Sequence, residues 1–179
     1  MNNLMLQHFD DDLRSADVSS WMSNRDLVSL ILDVVQTIES PKLDPNPAVD
    51  FNGILRPRMM VTVLSYCYAT GMYSSQEIES AIVKNETVRY LCARTYPTWQ
   101  DLLRFRRQHK ELIHEALSKV LQTAYDFRLW LAASPDPECR VCEMPSGTQH
   151  EASATINVSE IAHHRIKSAV FLDSVMLDD

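Results

Sequence analysis

Glycine is nearly missing from this chain, with three residues in 179, at positions 53, 71 and 147. So few, so widely spaced, cannot form a glycine-rich phosphate loop, and they leave little material for the tight turns of a sandwich or barrel. No apolar run approaches the roughly 18 residues that a membrane span requires, so no membrane partner is expected. The opening "MNNLMLQHFDDD" has neither a basic start nor a small-residue cleavage pattern, which argues against a secretory leader. Four cysteines in a chain of cytoplasmic character read as reduced thiols rather than a disulfide framework. No Ser/His/Asp order stands out, and the serines fall in caps and loops. Neither nucleophilic catalysis nor any other enzymatic activity is therefore expected.

What is present points to helices. Hydrophobic residues make up 45% of the chain, enough for a buried core. Leu27, Val28, Leu30, Ile31, Val34, Val35 and Ile38 recur at three- and four-residue steps, which predicts a helix from about Asn24 to the prolines at 41, 45 and 47. Pro57 suits a first helical position, and the run "RMMVTVLSYCYAT" behind it is apolar on almost every side, as at the centre of a fold. Gly71 supplies a left-handed residue beyond its end. Ser74 with Glu77 forms a capping-box pattern for the next helix, and a short helix follows Asn85. Thr98 caps a long helix reaching about Ala132, in which Trp99, Leu102, Leu103, Leu112, Ile113, Ala116, Leu117, Val120, Leu121 and Ala124 fit one face. Residues 134–157 read as a loop. Ser159 then caps a last helix with Ile161, Ile166, Ala169, Val170 and Val175 as core contacts. The expectation is an all-α bundle of five or six helices. An acidic arm spans 1–23, the helical domain 24–132, and a loop with a C-terminal helix 133–179.

The charge is unevenly placed. Residues 1–55 carry three basic and nine acidic side chains, 56–128 eleven and seven, and 129–179 three and eight. A basic middle between acidic ends, in a chain of net charge −7, is the pattern of a protein whose middle meets a polyanion. The bland alternative is the ordinary charge swing of helical proteins.

That middle, "LRPRMMVTVLSYCYATGMYSSQEIESAIVKNETVRYLCARTYPTWQDLLRFRRQH", resembles the N-terminal (InsH-like) domain of bacterial insertion-sequence transposases of the DDE class. The resemblance rests on the Pro-Arg-Met-Met helix start, Tyr68-Ala69-Thr70-Gly71, Ser74-Ser75 with Ile78-Glu79, Tyr90-Leu91, Pro97-Thr98, and Arg104-Phe105-Arg106-Arg107 with His109. It covers roughly 54–125. It implies a helical domain that helps to bind transposon ends, ahead of a catalytic domain with carboxylates at strand ends. About fifty residues follow Tyr125, and none of Asp126, Asp136 and Asp173 ends a strand, so the family's chemistry is not carried over.

The resemblance implies a DNA-binding protein without catalysis, a regulator or an accessory subunit. The short helix after Asn85 and the helix from Thr98 form a helix-turn-helix-like pair, whose second helix faces bases. Arg104, Arg107 and Gln108 project together, with Gln100 one turn earlier, and Arg94 and Lys110 hold phosphates at the edges. Against this stands an ordinary solvated face, with Arg107 paired to Glu111 and Glu115 to Lys119. A second functional class is a protein-interaction or homodimerisation module using the acidic surface. No cofactor or metal is expected. Cys139 and Cys142 have the spacing of half a zinc knuckle, but the histidines at 150, 163 and 164 complete no defensible set. Cys67 and Cys92 read as buried small hydrophobes.

Overall fold

The computed structural model describes residues 18–39, 56–133 and 157–175, with no side-chain description for 131–133. The described residues are all-α, with seven helices and no strand. These are α1 (Asn24–Thr37), α2 (Pro57–Ala69), α3 (Ser75–Lys84), α4 (Glu86–Leu91), α5 (Trp99–Gln108), α6 (Lys110–Ala133) and α7 (Val158–Val175), preceded by a 3₁₀ turn at Val18–Ser20. α6 packs against α1, α2 and α7, while α3, α4 and α5 cluster together, with α4 seated on α2. Most of the predicted acidic arm and the loop bearing Cys139, Cys142 and His150 lie outside the described residues. Val18 and Met22, at the end of that arm, are core residues.

The all-round apolar character of α2 has the anticipated result: every residue from Met59 to Ala69 is buried. Pro57 occupies its first turn. Gly71, at φ +80°, turns the chain so that the Met72 N–H donates to the Cys67 carbonyl at 2.8 Å. This is the Schellman bond, and it needs a left-handed residue just past the helix. At the other end of the helix, Arg58 donates to the Val35 carbonyl at 2.7 Å, placing a cation on the negative end of α1.

Three sequence expectations need correction. Thr98 does begin a helix, but the helix does not run to Ala132. The backbone at His109 (φ −123°, ψ 31°) leaves the helical region, so α5 and α6 are separate. The break is invisible to periodicity because Leu102, Phe105, Leu112, Ile113, Ala116 and Leu117 keep one apolar phase across it. It lets α5 pack on α3 while α6 packs on α1, α2 and α7.

Second, Ser74 precedes α3 but makes no side-chain cap to it, and Glu77 is exposed. The orphan N–H at Ser75 is instead satisfied by the Asp173 carboxylate of α7, at 2.8 Å. Third, the α7 cap is Asn157, whose side chain accepts from the Glu160 N–H at 3.2 Å; Ser159 lies inside the helix. Val170 and Val175 face outward. The inward line is Val158, Ile161, Ala162, Arg165, Ile166, Ala169 and Asp173, so two charged residues occupy positions that the pattern reserves for apolar ones.

Those two charges hold α7 in place. Arg165 donates to the Tyr68 and Ala69 carbonyls at 2.6 and 3.0 Å, at the C-terminal end of α2. Asp173 accepts at the N-terminus of α3 from the Ser75 backbone and, at 2.6 Å, from its hydroxyl. Eight residues of helix separate the two charges by about 12 Å. α7 therefore bridges the turn between α2 and α3, with a cation at the negative helix end and an anion at the positive one.

Candidate nucleic-acid interface

The local sequence builds α5 with a strong start. The Thr98 hydroxyl accepts from the Asp101 N–H at 3.3 Å, and Asp101 accepts from the Thr98 N–H at 3.0 Å, completing a capping box. Thr98→Ala is expected to cost about 1 kcal/mol of stability, read as a lower urea midpoint with unchanged m-value. The connection into α5 is strained. Ala93 and Arg94 both adopt positive φ, 50° and 62°, a region that costs L-residues about 1–2 kcal/mol each.

The four arginines and lysines of the 104–110 segment divide in two. Arg106 is buried. It pairs with Asp173, donates to the Tyr68 hydroxyl and the Ser75 hydroxyl at 3.0 Å each, and reaches the Tyr73 carbonyl at 3.5 Å. It is therefore withdrawn from any ligand. Burial pushes the Tyr68 hydroxyl up to about 12 despite the adjacent guanidinium, so it remains a neutral hydrogen-bonding group. Arg104, Arg107, Gln108 and Lys110 are exposed, as are Gln100 and Arg94.

Gln100, Arg104, Arg107 and Gln108 come together as anticipated. With Trp99 and Leu103 they line an open hollow of about 560 Å³ along α5, and no carboxylate lines it among the described residues. Trp99 and Leu103 are half-buried, yet neither is among the residues packed against the core. The expected Arg107–Glu111 pair is not formed among the described residues, because the break at His109 removes the i,i+4 geometry that it needs. Glu115 and Lys119, both on α6, do pair, at 2.8 Å. Asp101, the acidic residue of α5 itself, is engaged in the cap.

The remaining two candidates lie apart from the hollow. Arg94 is on the strained turn before α5. Lys110 opens α6 and looks toward α7, where a cluster that sequence reasoning missed is assembled: His114, His163 and Lys167. The His114 and His163 rings meet edge-on at 6.1 Å, and His114 Nε2 lies 3.0 Å from the Ser159 carbonyl. Desolvation, then Lys167, Lys110 and His114, holds His163 below the usual imidazole range. Only the contact between α6 and α7 creates this grouping, and no sequence spacing signals it.

Because its folded-state value is depressed, His163 supports stability above the ordinary imidazole pKa of about 6.5, and that support is lost as pH falls through the lower folded value. The melting temperature is expected to drop on moving from neutral to mildly acidic buffer, and to drop less in His163→Gln. An equal drop in both proteins would show that His163 does not contribute.

The helix-turn-helix geometry itself is not what packing favours. α4 has six residues, and α5 packs on α3. The two described thiols offer no nucleophile, since burial pushes Cys67 far up and Cys92 to about 12. No three His, Cys, Asp or Glu side chains among the described residues could share a metal ion, and no described helix is long and apolar enough to cross a membrane. No family model, curated protein or solved structure matches this chain.

Proposed function

We propose that this is a DNA-binding protein of transposase-like ancestry, without chemistry of its own, acting as a regulator or accessory subunit. The observation that carries the reading is the exposed face of α5. Arg104 and Arg107 project between Gln100 and Gln108, with no carboxylate among the described residues lining the hollow they share. Unpaired guanidinium groups are the natural partners of phosphates and of guanine edges, and amide side chains pair with adenine. Lys110, with Lys167 beside the histidine pair, extends positive charge from α6 onto α7. The test is fluorescence anisotropy with a labelled oligonucleotide, offered both as a duplex and as its separate strands. Affinity for at least one form, falling steeply as salt rises from about 50 to 200 mM, supports the reading. No binding to either form at the lower salt rejects it.

A second reading draws on α7. Val170, Phe171, Leu172 and Val175 are 48%, 65%, 37% and 47% exposed. Four large apolar side chains near the end of one helix suit self-association. A dimer mass in light scattering that reverts to monomer in Phe171→Asp supports it.

A further inference from the structure

The polar rim of the α5 hollow explains attraction to DNA. It does not explain the floor. Trp99 and Leu103 run along the middle of the same face, half-buried but outside the core packing. A helix inserted into a major groove meets base edges, which present donors, acceptors and thymine methyl groups. An indole laid along that face finds no stacking partner there, because the flat faces of paired bases are covered by their neighbours. Single-stranded DNA offers the missing surface. Its bases are free to stack, and an aromatic platform beside cations that follow the backbone is how unpaired strands are held. A second aromatic, Tyr96, is 61% exposed on the connection that leads into Trp99.

Building on the DNA-binding reading above, we infer that the α5 hollow is a site for single-stranded DNA. In it an unpaired base stacks on Trp99 against Leu103, and Arg104 and Arg107 hold the flanking phosphates. Gln100 and Gln108, at the two ends of the hollow, hydrogen-bond the exposed edges of bases without demanding one sequence.

The full-length chain is titrated with a labelled strand of roughly 16 nucleotides, the upper end of single-module site sizes, and with the same strand annealed to its complement. The strand is expected to bind at least about tenfold more tightly than the duplex and to quench tryptophan emission. Trp99→Ala should weaken strand binding roughly tenfold or more, the usual size of a lost base–aromatic stack, and leave duplex binding nearly unchanged. Trp99→Phe retains a stacking ring and should keep most of the affinity while losing the quench, because Trp21 and Trp130 remain in that variant.

Tighter binding to the duplex, an unaltered quench in Trp99→Phe, or undiminished strand affinity in Trp99→Ala each overturns the inference. Any of these results leaves DNA binding itself standing. Absence of binding to both forms removes the two proposals together. The phenylalanine variant keeps the test decisive should the alanine variant fold poorly.

Discussion

Asp173→Ala is expected to destabilise the protein by about 3–5 kcal/mol, a large part of the stability of a domain of this size. The substitution leaves the Arg106 guanidinium buried without its counter-charge, since Arg106 and Asp173 are 3% and 6% exposed. It also strips the Ser75 N–H and hydroxyl of their acceptor at the start of α3. The effect is therefore larger than that of an exposed ion pair such as Glu115–Lys119, which is worth a few tenths of a kcal/mol. A control separates the cost of an orphaned charge from the worth of the pair. Arg106→Met with Asp173→Leu removes both charges and keeps apolar volume. It should recover the part of the loss that comes from the orphaned guanidinium, while the Ser75 N–H and hydroxyl stay without their acceptor. Urea denaturation reads both. A shift of under about 1 kcal/mol for Asp173→Ala would mean that the guanidinium finds water or another partner.

The second large effect is on binding. Arg104→Ala with Arg107→Ala is expected to weaken DNA affinity by about 1.4 kcal/mol per arginine, roughly a hundredfold together. The salt dependence gives an independent readout. Each lost phosphate contact flattens the log–log slope by about 0.9 on duplex and about 0.7 on a single strand. The double variant should therefore bind less tightly and respond less to salt. Because both side chains are exposed and make no ion pair among the described residues, stability should change little. Unchanged affinity in the double variant would place the interface elsewhere. Arg106→Ala is a poor probe of the same question, because its lost affinity would follow from lost folding.

The contrast between neighbouring arginines shows what a single sequence can and cannot reveal. The exposed face was legible: residues 100, 104, 107 and 108 follow helical spacing, and the structure brings them to one hollow. The burial of Arg106 left a trace too, since it lies four residues after Leu102 and directly after Phe105, on the apolar line. Asp173 likewise follows Ala169 by four. A charge in an apolar phase signals a buried partner, but spacing alone does not say which one, because the pair closes across 67 residues of chain. The break at His109 was hidden for the opposite reason, as the periodicity is too regular to betray it. Ser74 and Ser159 had the chemistry of caps and lost the role to Asp173 and Asn157, because tertiary packing supplied better-placed acceptors. The His114–His163–Lys110–Lys167 grouping left no trace in sequence, since it exists only where α6 meets α7.

The buried pair of Arg106 on α5 and Asp173 on α7 carries an evolutionary corollary. A descendant that shed α7 would strand a guanidinium in the interior, so position 106 should turn apolar or small wherever the α7 acid is gone. Arginine and aspartate are thus expected to be co-inherited, and a relative keeping the first while lacking any acid near the second would need a different counterion.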